Sequence, residues 1–332
     1  MATAPLIKSE IKIIEVAEAD LAALEKLFDE ECAEWLELLK WDYQGPSMLI
    51  RDVVRQRQLS GFVAMHGNVA IGFAYYLIEG SRCSIGDIYV SSGWRGLGID
   101  REMALAIFNK LDRLHRVKRI ESQCVGVGND DADRLFQERG FERLERYYMQ
   151  MDVESREANT LTEDPRGVSI RPWKEDDFAQ AARVIHRSYR GTYDRLVNSQ
   201  YRSEDGCAEL LTILTDHIWC GDFLPQVSQV ASLQSGTMAG VLIASRVASG
   251  VGHISQISVH PAQQGRGIGR LLIERALGEF TRLGFRTASL AVTSANTNAM
   301  HLYHSCGFRP LHVFPVFYFE KNQSTFLSGS ER

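Results

Sequence analysis

Apolar positions fall into short alternating runs separated by longer stretches with a helical period, and the order of these segments predicts an α+β chain. In residues 168–320 the pattern gives a strand over 168–171, an amphipathic helix over 177–189 and a second helical stretch over about 206–218. Residues 229–233 and 240–246 alternate like hairpin arms, with Ser235 and Gly236 as the turn. A strand over 253–259 leads into a glycine-rich turn and a helix over about 268–280. A strand over 288–292, a short helix over 298–305 and an aromatic strand over 313–319 follow, the last expected to close the domain. Strands do not alternate strictly with helices, so a mixed, mainly antiparallel sheet flanked by helices is expected rather than a parallel doubly wound one.

The chain repeats itself. The segment IYVSSGWRGLGID from Ile88 matches ISVHPAQQGRGIG from Ile257, with Arg95 and Gln264 169 residues apart. Asn129, Ala132, Leu135, Phe136, Gly140 and Phe141 match Asn296, Ala299, Leu302, Tyr303, Gly307 and Phe308, at a shift of 167. The openings from Ile11 and Val168 also agree, each a short strand running into an acidic helix start. Ordered similarity in three blocks implies two copies of one unit. The expected division is a first domain over 1–153, a polar linker over 154–167 containing Pro165 and Gly167, a second domain over 168–322, and a Ser-rich tail over 323–332.

Composition narrows the function little. The 332 residues are 45% hydrophobic and 24% charged with a net charge of −5, and no Lys/Arg block suggests nucleic acid or an anionic membrane as partner. Six scattered cysteines form no CxxC pair and no zinc-spaced cluster, so no metal is expected and a reducing cytoplasmic setting fits. The N-terminal ten residues lack the basic and apolar regions of a leader, and no apolar run is long enough to span a bilayer.

The glycine turn carries the chemistry. Gln264 to Gly269 follows a strand and opens a helix, where N–H groups without intrahelical partners meet the positive end of the helix dipole and suit a pyrophosphate. Gly265, Gly267 and Gly269 let the main chain approach closely. A dinucleotide fingerprint starting at Gly265 would need a small residue where Arg270 stands, and no GK[ST] loop occurs.

With Val259-His-Pro261 before it, Gln264-x-x-Gly267-x-Gly269, and Asn296 through Phe308 downstream, the second copy resembles the GCN5-related N-acetyltransferases, and the first does so more weakly. The resemblance implies two tandem acyl-CoA N-acyltransferase domains and acetyl-CoA as acyl donor. It implies a pantetheine arm held along Ile257, Ser258 and Val259, and a pyrophosphate held by Gln264, Gly265, Arg266, Gly267, Ile268, Gly269 and Arg270. Asn296 and Ala299 would also contact the cofactor, and Tyr303 would protonate the departing thiolate. His253 stands where some members carry a glutamate base, which predicts an acidic limb of the pH–rate profile near histidine's usual ~6.5.

For the acceptor, a small or peptide primary amine, Tyr189, Tyr193, Asp194 and Trp219 are the candidates, aromatics near a carboxylate suiting an ammonium group. In the first copy Asp100, Phe136 and Ser84 stand for Gly269, Tyr303 and His253, so that site is expected to be degenerate. The alternatives are a non-catalytic acyl-CoA-binding module and a tandem acyltransferase resembling mycothiol synthase, as a monomer or homodimer.

Overall fold

The computed structural model describes residues 10–154 except 124, 127 and 128, residues 167–216, and residues 218–321. Nearly all of the expected linker, the tail, and residues 1–9 on which the leader expectation rests lie outside the described residues.

The first repeat runs β1 (Ile11–Glu15), α1 (Leu21–Leu39), α2 (Gln44–Arg55), β2 (Ser60–His66), β3 (Val69–Glu79), β4 (Arg82–Val90), α3 (Ile99–Asp112), β5 (Arg119–Gln123), α4 (Asp130–Glu138) and β6 (Glu142–Asp152). The second runs β7 (Val168–Pro172), α5 (Phe178–Ser188), α6 (Asp194–Val197), α7 (Glu204–Asp216), β8 (Asp222–Phe223), β9 (Gln229–Leu233), β10 (Met238–Ala248), β11 (Val251–Val259), α8 (Ile268–Arg282), β12 (Thr287–Thr293), α9 (Thr297–Cys306) and β13 (Arg309–Glu320). Every element expected in the second repeat is present, with ends shifted by a few residues. The two-residue β8 and the single turn α6 are too short for periodicity to reveal. No helix among the described residues is long and apolar enough to cross a membrane.

The chain divides into two compact units, and neither is one contiguous repeat. The first holds residues 10–34, 47–145 and 314–321; the second holds 35–46 and 146–313. In the first unit β1, β2, β3 and β4 pair antiparallel and β4 pairs parallel with β5. Strand β13 then runs antiparallel to β5, from Val316 opposite Gln123 to Glu320 opposite Arg119. In the second unit β7, β9, β10 and β11 pair antiparallel and β11 pairs parallel with β12. There β6 lies antiparallel to β12, from Arg146 opposite Thr293 to Asp152 opposite Thr287. The aromatic strand expected to close the second domain therefore completes the first unit instead. Its alternation marks it as a strand, but alternation does not select between two similar sheets.

Two layers of side chains cover the second unit's sheet, which explains the almost unbroken burial of β10. Ala239, Leu242 and Ala244 enter the cluster with Ile268, Leu272, Ala276 and Phe280 of α8. Met238, Val241 and Ile243 enter the other, with Ala181 and Ile185 of α5 and Leu211 of α7. A strand covered on both faces reads as a continuous apolar run. Ile268, Leu271, Leu272, Ala276 and Phe280 recur at the helical period, and that stripe fixes α8 against the sheet.

Candidate active site

Strands β11 and β12 part company halfway along. Their parallel pairing runs from Val251 opposite Thr287 to Ile254 opposite Leu290, and no ladder pairing joins residues 255–259 to 291–293 among the described residues. Strand β11 continues on β10, while β12 continues on β6. The parting begins at a bulge: Ile254 faces Ala244 and Gln256 faces Ile243, so Ser255 is the extra residue. Beyond it, Ile257 and Val259 pack on the α8 core while Gln256 and Ser258 are buried away from it. Main-chain groups of β11 on the open side are thus available to an extended ligand lying in the gap.

The glycine turn sits at the end of this strand. Gly265 and Gly267 adopt φ of 73° and 77°, and Gly267 caps α8. Such angles suit glycine, and the first N–H groups of the helix that follows have no intrahelical partner. A Cβ on Gly269 would lie 3.2 Å from Leu302 Cδ2 and 3.7 Å from Val259 Cγ2, so this glycine seats α8 on α9 and β11. Gln264 has a role the sequence did not reveal: its Nε2 donates to Val259 O at 3.1 Å, tying the turn to the strand. Arg266 hydrogen-bonds Gln263 and Arg270 hydrogen-bonds Ser305, both at the surface. Ile268 is buried in the core.

Below the gap, Ile257, Val259, Ile268, Ala299, Leu302 and Tyr303 meet in one cluster. Asn296 Oδ1 accepts from the Ala299 N–H at 3.2 Å, capping α9, and its Nδ2 donates to Asp194 Oδ2 at 3.1 Å. Thr293 Oγ1 donates to Asp194 Oδ1 at 2.6 Å. Tyr303 is 7% exposed, and its hydroxyl makes no hydrogen bond to any described residue. Nothing among the described residues satisfies this phenol, which leaves it open to water or to a ligand. Burial, then the nearby Tyr189 and Asp194, push its pKa well up, keeping it a proton donor at neutral pH.

Tyr189 and Tyr201 stack with ring centroids 3.8 Å apart. Tyr201 donates to Gln256 Oε1 at 3.0 Å, and Gln256 Nε2 donates to Tyr189 Oη and Ser258 Oγ, each at 3.0 Å. Burial raises the Tyr189 pKa to about 12. Of the acceptor candidates, Tyr189 and Asp194 therefore join the site. Tyr193 is 52% exposed on the turn before α6, and Trp219 lies on the turn Ile218–Cys220, packed with α7 and β8.

His253 is 6% exposed, its ring 4.8 Å from Trp41 and stacked at 5.8 Å on Tyr148. Ser289 Oγ donates to Gly252 O at 3.0 Å, so the 2.9 Å contact with His253 Nδ1 assigns the imidazole proton to Nδ1. Burial, then Arg146, drive its pKa down to about 3. The acidic limb expected near 6.5 is thus displaced by burial among aromatic rings that come from the first repeat. Between pH 3 and 6.5 the unfolded chain binds a proton here that the folded one refuses, so stability falls as pH drops through that window. His253→Gln should remove up to about 1.4 kcal/mol per pH unit of this acid sensitivity, read from denaturant midpoints at roughly pH 7, 5 and 4. Equal slopes in the two proteins would show that the ring titrates normally.

The first unit keeps the frame with different residues in it. Its β4 and β5 also pair only from Arg82 opposite Arg119 to Ile85 opposite Ser122. Arg95 Nε donates to Val90 O at 2.9 Å, as Gln264 does to Val259, and its Nη2 grips both Glu34 oxygens at 2.8 and 2.7 Å. Asp100, 3% exposed, accepts the Ala132 N–H at 2.8 Å. That N–H corresponds to the one on Ala299 that Asn296 caps. Phe136 is fully buried, stacked 4.6 Å from Phe317.

The family model described as Acetyltransferase (GNAT) family matches residues 21–141 and 196–308. The mycothiol acetyltransferase of Propionibacterium freudenreichii is 26% identical over 149 residues, 43% of this chain and 44% of that protein. The curated relatives matched here are thus covered over less than half of their own length. A GCN5-related N-acetyltransferase structure from Sphaerobacter thermophilus superposes with a TM-score of 0.65 at 18% identity, covering 94% of this chain and 96% of that one. A tandem GNAT protein from the clavulanic acid biosynthesis pathway gives 0.57 at 15%, covering 95% and 100%. These two likenesses concern the fold.

Proposed function

The chain belongs to the GNAT acetyltransferase family, and on that premise we propose that it transfers an acetyl group from acetyl-CoA to a primary amine, in the second unit. The observation that carries this reading is the parting of β11 and β12 directly before a glycine turn that opens α8, with the Tyr303 hydroxyl, unpartnered among the described residues, beneath. The pantetheine arm runs along residues 257–259 as a further strand, and the Val259 N–H polarises the thioester carbonyl. The pyrophosphate rests on the N–H groups of residues 265–270. Asp194 draws the ammonium of the acceptor, since each carboxylate oxygen keeps a lone pair beyond those given to Thr293 and Asn296. The ammonium loses one proton to solvent, and the neutral amine attacks the thioester carbon directly. Tyr303 gives its proton to the thiolate as the C–S bond breaks, and the proton shed by the new amide nitrogen returns to the Tyr303 oxygen. His253 is assigned a packing role.

Acceptor screening with acetyl-CoA, following thiol release over a panel of amines, tests the activity. The mycothiol acetyltransferase match supports including the deacetylated amine precursor of that thiol in the panel. Calorimetry should give one acetyl-CoA per chain, because Asp100 sets a buried carboxylate in the first turn of α3, where the second unit has Gly269. Arg95→Ala should leave turnover intact. Two tight sites, or turnover lost with Arg95→Ala, would overturn the assignment to the second unit.

A further inference from the structure

The site of the second unit is walled in part by the first repeat. Trp41, from the connection between α1 and α2, packs on His253, and β6 brings Tyr148 and Arg146 alongside β12. Arg146 lies directly opposite Thr293, the residue whose hydroxyl holds Asp194. Side chains opposite one another in an antiparallel pair share a face, with Cβ atoms about 5 Å apart. Arg146 therefore rises beside Thr293, whose hydroxyl holds the Asp194 carboxylate of α6 over the same face of the sheet. Arg146 Nη2 donates to Ala291 O at 3.4 Å, which leans the guanidinium along β12. Its charge acts on Tyr189, Tyr201, Tyr303 and His253, so the same cation faces the rings that surround Asp194. The strand serving the first unit carries Val313 where this one carries Arg146, at the 167-residue shift, and Gly126 stands for Thr293. The arginine and the threonine opposite it are thus particular to the unit with the intact glycine turn.

We propose that Arg146 binds a carboxylate of the acceptor beside the ammonium held at Asp194, so that the substrate is an amino acid or a similar amine bearing a carboxylate close to the nitrogen. This rests on the acetyl-transfer reading above. The guanidinium fork suits a carboxylate bidentately, and opposite charges side by side suit a zwitterion better than a polyamine, which Arg146 repels.

The test uses matched acceptors, each amino acid against the amine left when its carboxylate is removed, in the full-length protein with acetyl-CoA. Selectivity is the ratio of kcat/KM for the two, or of Kd by calorimetry with CoA present where an amine is not acetylated. The wild type should favour the carboxylate-bearing partner at least tenfold, an advantage of about 1.4 kcal/mol. Arg146→Gln should bring the ratio within about threefold of unity, through KM rather than kcat, and Arg146→Lys should restore part of it. A wild-type ratio at or below one, or an equal ratio in Arg146→Gln, overturns the proposal. Acetyl-CoA affinity, measured on the same samples, separates the two readings. Bound acetyl-CoA without carboxylate preference removes only this inference, and no bound acetyl-CoA removes the transferase reading and this one together.

Discussion

Replacing Gly267 by aspartate should weaken acetyl-CoA binding by up to roughly a thousandfold. The residue caps α8 at φ 77°, where the first helical N–H groups emerge. A carboxylate there competes for those groups, as helix-capping side chains do. It also repels the pyrophosphate: two like charges ~4 Å apart cost about 4 kcal/mol at an effective dielectric near 20, and ~1.4 kcal/mol is a factor of ten in affinity. Aspartate tolerates the left-handed region better than most residues, at a cost of roughly 1–2 kcal/mol to the fold. Gly267→Ala carries the backbone strain without the charge and should lose far less affinity. Calorimetry on both variants decides the matter, and an unchanged Kd in Gly267→Asp would remove the turn from the binding site. Asp100 makes the comparable experiment in the first unit, where a carboxylate already occupies the equivalent of Gly269 and caps Ala132.

Tyr303→Phe should lower turnover about a hundredfold, the usual scale for a lost general acid. The variant loses one hydroxyl that has no partner among the described residues, so neither packing nor any internal hydrogen bond is sacrificed. Acetyl-CoA affinity and thermal midpoint should stay close to wild type, while kcat falls and KM changes little. Acetyl donors whose leaving thiols differ in acidity sharpen the test: the defect should shrink for the more acidic thiol, which has less need of a proton. Wild-type turnover would return Tyr303 to the core beside Phe308, with which it makes an edge contact at 6.2 Å.

What the sequence made legible was local. The glycine turn and the helix α8 that it opens depend on residues close to one another in the chain, and both stand where the pattern placed them. The repeat added the correspondence of Asp100 with Gly269 and of Phe136 with Tyr303. What stayed hidden depends on distant chain. Nothing near His253 signals that Trp41 and Tyr148 enclose it, so its ordinary pKa was the natural expectation and burial overturns it. Arg146 reads in the sequence as one more charge in an alternating strand, and only the pairing of β6 with β12 sets it opposite Thr293, the residue that holds Asp194. Glu34, which grips Arg95, is likewise 61 residues from its partner.

The exchange of closing strands sets an order on biosynthesis. The first unit is complete only with residues 314–321, which leave the ribosome after the rest of the second repeat has been made. Until then the edge of β5 is bare from Arg119 to Gln123, and an unpaired strand edge is where a nascent chain finds wrong partners. The second unit has its borrowed strand, β6, waiting before its own sheet begins to emerge. The half of the protein translated first is therefore the half completed last, and a chain cut between the repeats would release two fragments, each missing an edge that the other holds.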